Sequence, residues 1–164
     1  MKRLTLIRHA KSSWNYPELS DFERPLNGRG RRDAPAMALR ALEAVGLPDL
    51  WLSSPASRAI TTARIFADAL ALPTDVLLDA RIYDADVDRL MEVVKTLPAQ
   101  SEHAWLFGHN PGFTEFSQWL SREAPAHMPT CSVVGHRLDI EHWASLTPGC
   151  GALACFVYPK QLRA

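Results

Sequence analysis

The sequence has few cysteines and no long apolar run. It contains three cysteines, an odd number, and no two of them form a Cys-x-x-Cys pair. No apolar stretch approaches the ~20 residues of a membrane-spanning helix, and too few apolar residues follow the basic start of the chain for a secretory leader. We therefore expect a cytoplasmic protein that does not associate with membranes.

A surplus of charge of either sign is also missing. Eighteen basic and eighteen acidic side chains give a formal net charge of zero at pH 7, so nothing favours binding to nucleic acid or to an anionic membrane surface. Hydrophobic residues make up 47% of the 164 positions, and a chain of this length buries roughly 70% of its unfolded surface. Because the chain has no linker, repeat or low-complexity segment, we expect a single domain over residues 1–164.

Short apolar runs alternate with helical patterns along the chain. Strands are predicted at 4–7, 50–53, 75–78, 104–108, 131–140 and 152–158. Helices are predicted to begin at 28, at 55, after 86 and at 111, and the expected caps of the last three are Ser54, Asp86 and Asn110. Pro35 must kink the first helix or mark its first turn. This alternation predicts a three-layer α/β fold, with helices on both faces of a mostly parallel sheet.

Polar residues follow three of these predicted strands. Arg8 and His9 come directly after the first strand, Arg58 follows the second, and His109 follows the fourth. Open α/β sheets bind their ligands at the carboxyl ends of the strands. The two histidines and two arginines are therefore predicted to meet in one site. The segment 11–27 lacks apolar periodicity and is long for a loop, which indicates a functional loop.

These residue types suit the binding and transfer of a phosphoryl group. Arginine presents a planar fork that bonds two phosphate oxygens and keeps its charge, and the amino ends of the helices after the second and fourth strands would add backbone donors. A neutral His9 can attack phosphorus if its other ring nitrogen donates to a backbone carbonyl. His109 could donate to the phosphoryl oxygens as charge builds. This arrangement requires no metal and no cofactor.

Three segments resemble the signatures of the histidine phosphatase superfamily. They are Arg8-His9-Ala10-Lys11-Ser12, Ser53-Ser54-Pro55-Ala56-Ser57-Arg58-Ala59 with Thr61-Thr62-Ala63 behind it, and Gly108-His109-Asn110-Pro111. The short chain and Arg24-Pro25-Leu26 make it most similar to the SixA-like phosphohistidine phosphatases. The resemblance implies a phosphoglycerate mutase-like fold with His9 as the phosphorylated nucleophile. It also implies that Arg8 and Arg58 clamp the phosphate and that His109 is the second catalytic histidine.

Other positions match the family less closely. By the resemblance, Arg24 would be a further phosphate contact, and Asn15 matches an asparagine near the phosphate in phosphoglycerate mutases, although the loop around it differs. Ala10 replaces the usual glycine, as the SixA-like branch commonly shows. The acidic proton donor that mutases and acid phosphatases carry after the third strand has no clear counterpart. Asp79 and Asp84 are the carboxyl groups that this region offers.

Together these features predict a metal-free phosphatase that releases phosphate from a phosphorylated protein or a small phosphorylated molecule. An imidazole leaves phosphohistidine more readily than an alkoxide leaves a phosphate ester, so the lack of a clear acid favours phosphohistidine as the substrate. A broad small-molecule phosphomonoesterase is one alternative. A phosphate-binding or phosphoprotein-binding module without turnover is another, and the four intact core residues weigh against it.

Three further groups of side chains have structural interpretations. The remaining histidines lack metal-ligand spacing and are interpreted as surface or packing residues: His103, His127, His136 and His142. A basic cluster forms either a solvated helix face or a docking surface for an acidic phosphoprotein: Arg29, Arg31 and Arg32. Three aromatic residues either line the pocket or pack elsewhere: Trp14, Tyr16 and Tyr83.

Overall fold

A six-stranded sheet forms the centre of the molecule in the computed structural model, which describes residues 1–72 and 75–162. The strands are β1 (Lys2–Arg8), β2 (Leu50–Ser53), β3 (Leu77–Leu78), β4 (His103–Gly108), β5 (Val133–Leu138) and β6 (Gly151–Val157). The helices are α1 (Gly28–Val45), α2 (Ser57–Ala69), α3 (Val87–Lys95), α4 (Gly112–Leu120) and α5 (Pro159–Leu162). Single 3-10 turns occupy Asp21–Glu23, Ala80–Ile82 and Trp143–Ser145.

The strand order is β3-β2-β4-β1-β5-β6. The pairs among β3, β2, β4 and β1 are parallel, whereas β5 pairs antiparallel with both β1 and β6. The segment that joins β5 to β6 contains only a 3-10 turn, and without a helical crossover the two strands pair antiparallel. The sheet is therefore mixed and mostly parallel, which confirms the predicted fold class.

Alternate residues of the strands point to two separate cores. Leu4 and Leu6 of β1 lie in one core with residues of α3 and α4, and Ile7 lies in the other with residues of α1 and α2. Trp105 and Phe107 of β4 join the second core and are fully buried. Each such large side chain contributes about 1.5 to 3 kcal/mol on burial. The helices therefore cover both faces of the sheet, as predicted.

Several predicted element boundaries are corrected by the structure. Helix α2 begins at Ser57 rather than at 55, because Ser54 Oγ accepts from Ala56 N (3.2 Å) in a tight turn instead of capping the helix. Helix α4 begins at Gly112, and Pro111 occupies its cap position in place of Asn110. Asp86 does cap α3, by accepting from Arg89 N at 2.9 Å.

Two other expectations about regular elements change in the same way. Helix α1 runs from Gly28 through Pro35 to Val45, so the alternative that Pro35 marks the first turn is wrong. Strand β3 is only two residues long, at the edge of the sheet, whereas the prediction spans 75–78. Among the described residues, no helix combines the length and the apolar character that a membrane crossing needs.

The four remaining histidines divide between the core and the surface. His103 is buried and bonds Thr5 Oγ1 through Nε2 (2.9 Å), while His136 is buried between the hydroxyls of Ser117 (2.8 Å) and Ser121 (2.7 Å). His127 and His142 are exposed. These placements agree with surface or packing roles.

The loop between β1 and α1 is tied together at its two ends. Lys11 O accepts from Asn27 N (2.9 Å), and an isolated antiparallel bridge joins Ser12 to Leu26. The start of α1 packs so closely on this loop that a Cβ on Gly30 would overlap the backbone of Lys11. Gly30 therefore allows α1 to pack closely on Lys11, within the first signature segment.

We expect Gly30→Ala to lower the free energy of unfolding by about 1 to 3 kcal/mol, because the added methyl group forces backbone atoms apart. Gly28→Ala is the matched control, since its Cβ would meet only the flexible end of Arg32, at 3.3 Å. Alanine is otherwise favoured over glycine inside a helix by roughly 0.5 to 1 kcal/mol. Urea unfolding followed by circular dichroism measures both changes. Equal stabilisation by the two substitutions would contradict the close approach.

Candidate active site

The carboxyl ends of β1 and β4 carry the two histidines side by side. The parallel register pairs Arg8 with Gly108, and His9 and His109 are the residues that follow. His9 N donates to Gly108 O at 3.0 Å, and the two imidazole centroids lie 5.4 Å apart. Strand pairing alone therefore brings together residues that are 100 positions apart in the chain.

A cavity of about 420 Å³ opens at this edge of the sheet. Six of the predicted site residues line it, namely Arg8, His9, Arg24, Arg58, Asp84 and His109. Asp21 and the rings of Trp14 and Tyr83 also line it. The structure thus brings the three motif segments together in one cavity, as predicted from the polar residues that follow the strands.

His9 is held as a neutral ring with one nitrogen available. Its Nδ1 lies 2.7 Å from Ala10 O, and because a carbonyl can only accept, Nδ1 carries the proton. Nε2 of the neutral ring then keeps its lone pair. Burial, as the largest cause, and the positive charges of Arg58 and Arg8 lower the pKa of His9 to about 3 against the opposing effect of the Ala10 bond.

His109 is also buried and neutral. Its Nε2 lies 2.8 Å from Ser54 Oγ, and its Nδ1 is buried with no hydrogen-bond partner in residues 1–72 and 75–162. Burial lowers the pKa of His109 to about 3, with smaller contributions from His9 and Arg58. The turn at Ser54 that displaces the start of α2 thus supplies the hydroxyl that orients this ring.

Arg8 and Arg58 are each held by hydrogen bonds at one end of the guanidinium, and each has an Nε without a partner in the described residues. Arg8 Nη1 donates to Met128 O (2.9 Å), and Arg58 donates from Nη1 to Asp21 O (2.6 Å) and from Nη2 to Asp21 Oδ2 (3.0 Å). The Nε atoms of both arginines are buried and find no hydrogen-bond partner within the described chain. Burial and the nearby charge of Arg58 lower the pKa of Arg8. An anion would stabilise both cations and use these donors.

Arg24 forms the outer side of the same cationic cluster. Its Nη1 donates to Ser12 Oγ (2.7 Å) and Ser13 O (3.2 Å), and its guanidinium carbon lies 3.6 Å from the centroid of the Trp14 ring. Stacking on an aromatic face and a bond to Ser12 restrict the guanidinium. Arg24 therefore lines the cavity from the functional loop predicted at 11–27.

Two predicted site residues lie away from the cavity lining. Asn15 is exposed, and its described contact is a backbone bond from its N to Ser13 Oγ (3.1 Å). The Asp79 carboxylate is bonded by Arg81, with Arg81 Nη2 at 2.7 Å from Oδ2, and this ion pair lowers the pKa of Asp79. Asp84 does line the cavity, is exposed, and has a left-handed backbone with φ of 54°.

Sequence reasoning missed Asp21 and left Tyr83 undecided. Asp21 opens the 3-10 turn of the loop and contacts Arg58, Arg24 and Tyr83, whose hydroxyl donates to Asp21 Oδ2 at 2.7 Å. The Tyr83 ring meets that of His109 edge-on at 5.5 Å, so Tyr83 belongs to the cavity wall. Tyr16 is exposed and outside the cavity lining. The spacing of Asp21 three residues before Arg24 is the signal that the sequence offered.

No three His, Cys, Asp or Glu side chains converge in a way that could hold a metal ion in the part of the chain that the structure describes. The positive charge at the cavity comes from arginine and from Lys11, which also lines it.

The fold and site define a class of phosphoryl-transfer enzyme. A mostly parallel sheet of this strand order, covered by helices on both faces, matches the phosphoglycerate mutase-like fold. Residues 4–130 match the model of the histidine phosphatase superfamily, branch 1, and the chain belongs to that family. By family the protein is a phosphatase hydrolase.

Proteins from bacteria and plants resemble the chain over most of its length. An uncharacterized protein of Mycobacterium tuberculosis is 31% identical and aligns with 94% of this chain and all of its own length. An uncharacterized chloroplastic protein of Arabidopsis thaliana is 30% identical over 80% of this chain, which spans 64% of that longer relative. These relatives support the family assignment without adding a substrate.

Solved structures of SixA proteins share the fold. A candidate SixA phosphohistidine phosphatase from Agrobacterium tumefaciens is 25% identical, with a TM-score of 0.80 over 96% of this chain and 98% of its own. A SixA protein histidine phosphatase solved with tungstate is 21% identical and has a TM-score of 0.82, covering 98% and 99% of the two chains. The chain is therefore SixA-like in fold as well as in its motifs.

The environment of the two rings predicts their protonation. Since the pKa values of His9 and His109 are both lowered to about 3, each imidazole should stay neutral from pH 8 down to pH 5, with the His9 proton on Nδ1. Long-range ¹H–¹⁵N correlation spectra measure both properties, and His9→Gln and His109→Gln variants assign the signals. A protonation midpoint near the ordinary pKa of about 6.5, or a His9 proton on Nε2, would contradict this geometry.

Proposed function

We propose that the protein is a metal-free phosphohistidine phosphatase that acts through a phosphorylated His9. The proposal rests on nitrogen atoms of the cavity residues that have no hydrogen-bond partner in the described chain. His9 Nε2 is the free nitrogen of its ring, and Arg8 Nε, Arg58 Nε and His109 Nδ1 are buried without hydrogen-bond partners in the described chain. One nucleophilic lone pair thus lies near two arginine N–H donors suited to an anion.

The chemistry divides into two displacements at phosphorus. In the first, the His9 Nε2 lone pair forms a bond to phosphorus while the bond to the leaving group breaks with its electron pair. Arg8 and Arg58 hold the phosphoryl oxygens throughout, and His109 stabilises the charge that builds on them. In the second, water attacks phosphorus, His9 leaves as a neutral ring, and the proton of the water goes to solvent or phosphate.

Two features favour an imidazole as the leaving group. Asp79 is held by Arg81 outside the cavity lining, and the remaining carboxyl of that region, Asp84, is exposed. Weak acid assistance suits phosphohistidine, because its imidazole departs more readily than an alkoxide. The cavity of about 420 Å³ also has the rings of Trp14 and Tyr83 in its lining, and such rings can pack against an imidazole.

Asp84 supports a second candidate function. Its place on the cavity wall would let a protonated carboxyl deliver a proton to an alkoxide. Hydrolysis of a small phosphate monoester is therefore the alternative that this residue favours.

The direct test compares three substrates in the presence of EDTA: a phosphohistidine peptide, an aryl phosphate and an alkyl phosphate. We expect kcat/KM to fall in that order, and His9→Ala to lose roughly 10³-fold or more on all three, because the nucleophile is removed. Asp84→Asn should lower only the rate on the alkyl phosphate, and Asp79→Asn is the control outside the cavity. An alkyl phosphate as the best substrate, with a large Asp84→Asn effect, would contradict phosphohistidine and support the monoesterase.

A further inference from the structure

The Asp21 carboxylate joins three parts of the candidate site. Its Oδ2 accepts from Arg58 Nη2 (3.0 Å) and from the Tyr83 hydroxyl (2.7 Å), and its Oδ1 lies 3.3 Å from Arg24 Nε. The backbone oxygen of the same residue accepts from Arg58 Nη1 at 2.6 Å. Arg58, Arg24 and Tyr83 come from three separate segments of the chain, so Asp21 is the point at which these segments meet.

The pattern of bonds on Arg58 shows which edge of its guanidinium remains available. Asp21 occupies the far end of the fork, with one N–H of Nη1 and one N–H of Nη2. The side edge of the fork consists of the Nε–H and the second N–H of Nη2, which point in the same direction. Arg58 Nε is buried and without a partner in the described residues. The side edge is thus the one that a phosphate can bind with two bonds.

We propose that Asp21 is a positioning residue, which holds the far end of the Arg58 guanidinium so that its side edge is presented to the phosphoryl group. The proposal rests on the phosphatase function proposed above and extends it to a residue outside the three motif segments. Through the Tyr83 hydroxyl, the same carboxylate also fixes the ring that meets His109 edge-on. Asp21 thereby links the Arg58 guanidinium to the part of the cavity wall that contacts His109.

Asp21 is held in its ionised form by the residues that it contacts. The hydrogen bond from Tyr83 lowers the pKa of Asp21 most, followed among the favourable contacts by those from Arg58, so that the pKa falls to about 2. The Asp21 carboxylate is therefore ionised at neutral pH, at which phosphate binding would be measured. An anion beside a phosphate site would by itself weaken phosphate binding, since like charges repel. If Asp21 positions Arg58, its substitution should weaken phosphate binding. If Asp21 only repels the anion, its substitution should strengthen phosphate binding.

Direct binding of inorganic phosphate, measured by calorimetry, tests the proposal without requiring turnover. We expect Asp21→Ala to weaken phosphate binding at least about 10-fold, which corresponds to ~1.4 kcal/mol, because the guanidinium loses its side-chain anchor. Asp21→Asn keeps one oxygen acceptor and should weaken binding less. It also provides a second test should the alanine variant fold poorly.

Glu23→Ala is the matched control on the same 3-10 turn. Glu23 Oε1 accepts from Ser20 N (3.2 Å) and Ser20 Oγ (2.8 Å) and lies outside the cavity lining. This variant should lower thermal stability while leaving phosphate affinity at the wild-type value.

Two results would overturn the positioning role. Equal or tighter phosphate binding by Asp21→Ala and Asp21→Asn would show that Asp21 acts only as a competing charge. An equal loss in Glu23→Ala would show that only the order of the turn matters. If the wild-type protein binds phosphate but hydrolyses no substrate, the proposed function fails while these affinities still decide the role of Asp21.

Discussion

The parallel pairing of β1 with β4 is the constraint on which the rest of the site depends. Its register sets Arg8 opposite Gly108, and the next residue of each strand is a histidine. A shift of one residue would turn Ile7 and Phe107 out of their core, since successive side chains of a strand point to opposite faces. The hydrophobic cores on both sides of the sheet therefore fix the relative position of the two imidazoles.

Burial gives these polar groups their chemical character. A buried histidine among arginines stays neutral, because burial and positive charge both oppose protonation. The arginines keep their charge, and their anchors on Met128 O and on Asp21 leave donors without partners in the described chain. In the proposed function, the phosphoryl group supplies the missing negative charge and the neutral His9 is the nucleophile.

The residues that follow the strands could be predicted from the sequence, because short apolar runs and the polar residues at their ends are local patterns. The start of α2 could not be predicted from the sequence, since Ser54 bonds both Ala56 and a histidine 55 positions away. The contacts of Asp21 could not be predicted either, because they join a loop to Arg58 and Tyr83. Local propensity contains no information on such pairings. The predicted fold class is a mostly parallel sheet, and the antiparallel pairing of β5 with β1 and β6 is seen only in the structure.

The central claim is that His9 carries the phosphoryl group during the reaction. The most direct experiment mixes the protein with a ³²P-labelled aryl phosphate and stops the reaction rapidly without acid. Peptide mapping then locates the label. We expect a base-stable, acid-labile label on the peptide that contains His9, formed at the rate of the first product burst and absent from His9→Ala. A label on another residue, or turnover with no labelled protein at any time, would contradict it.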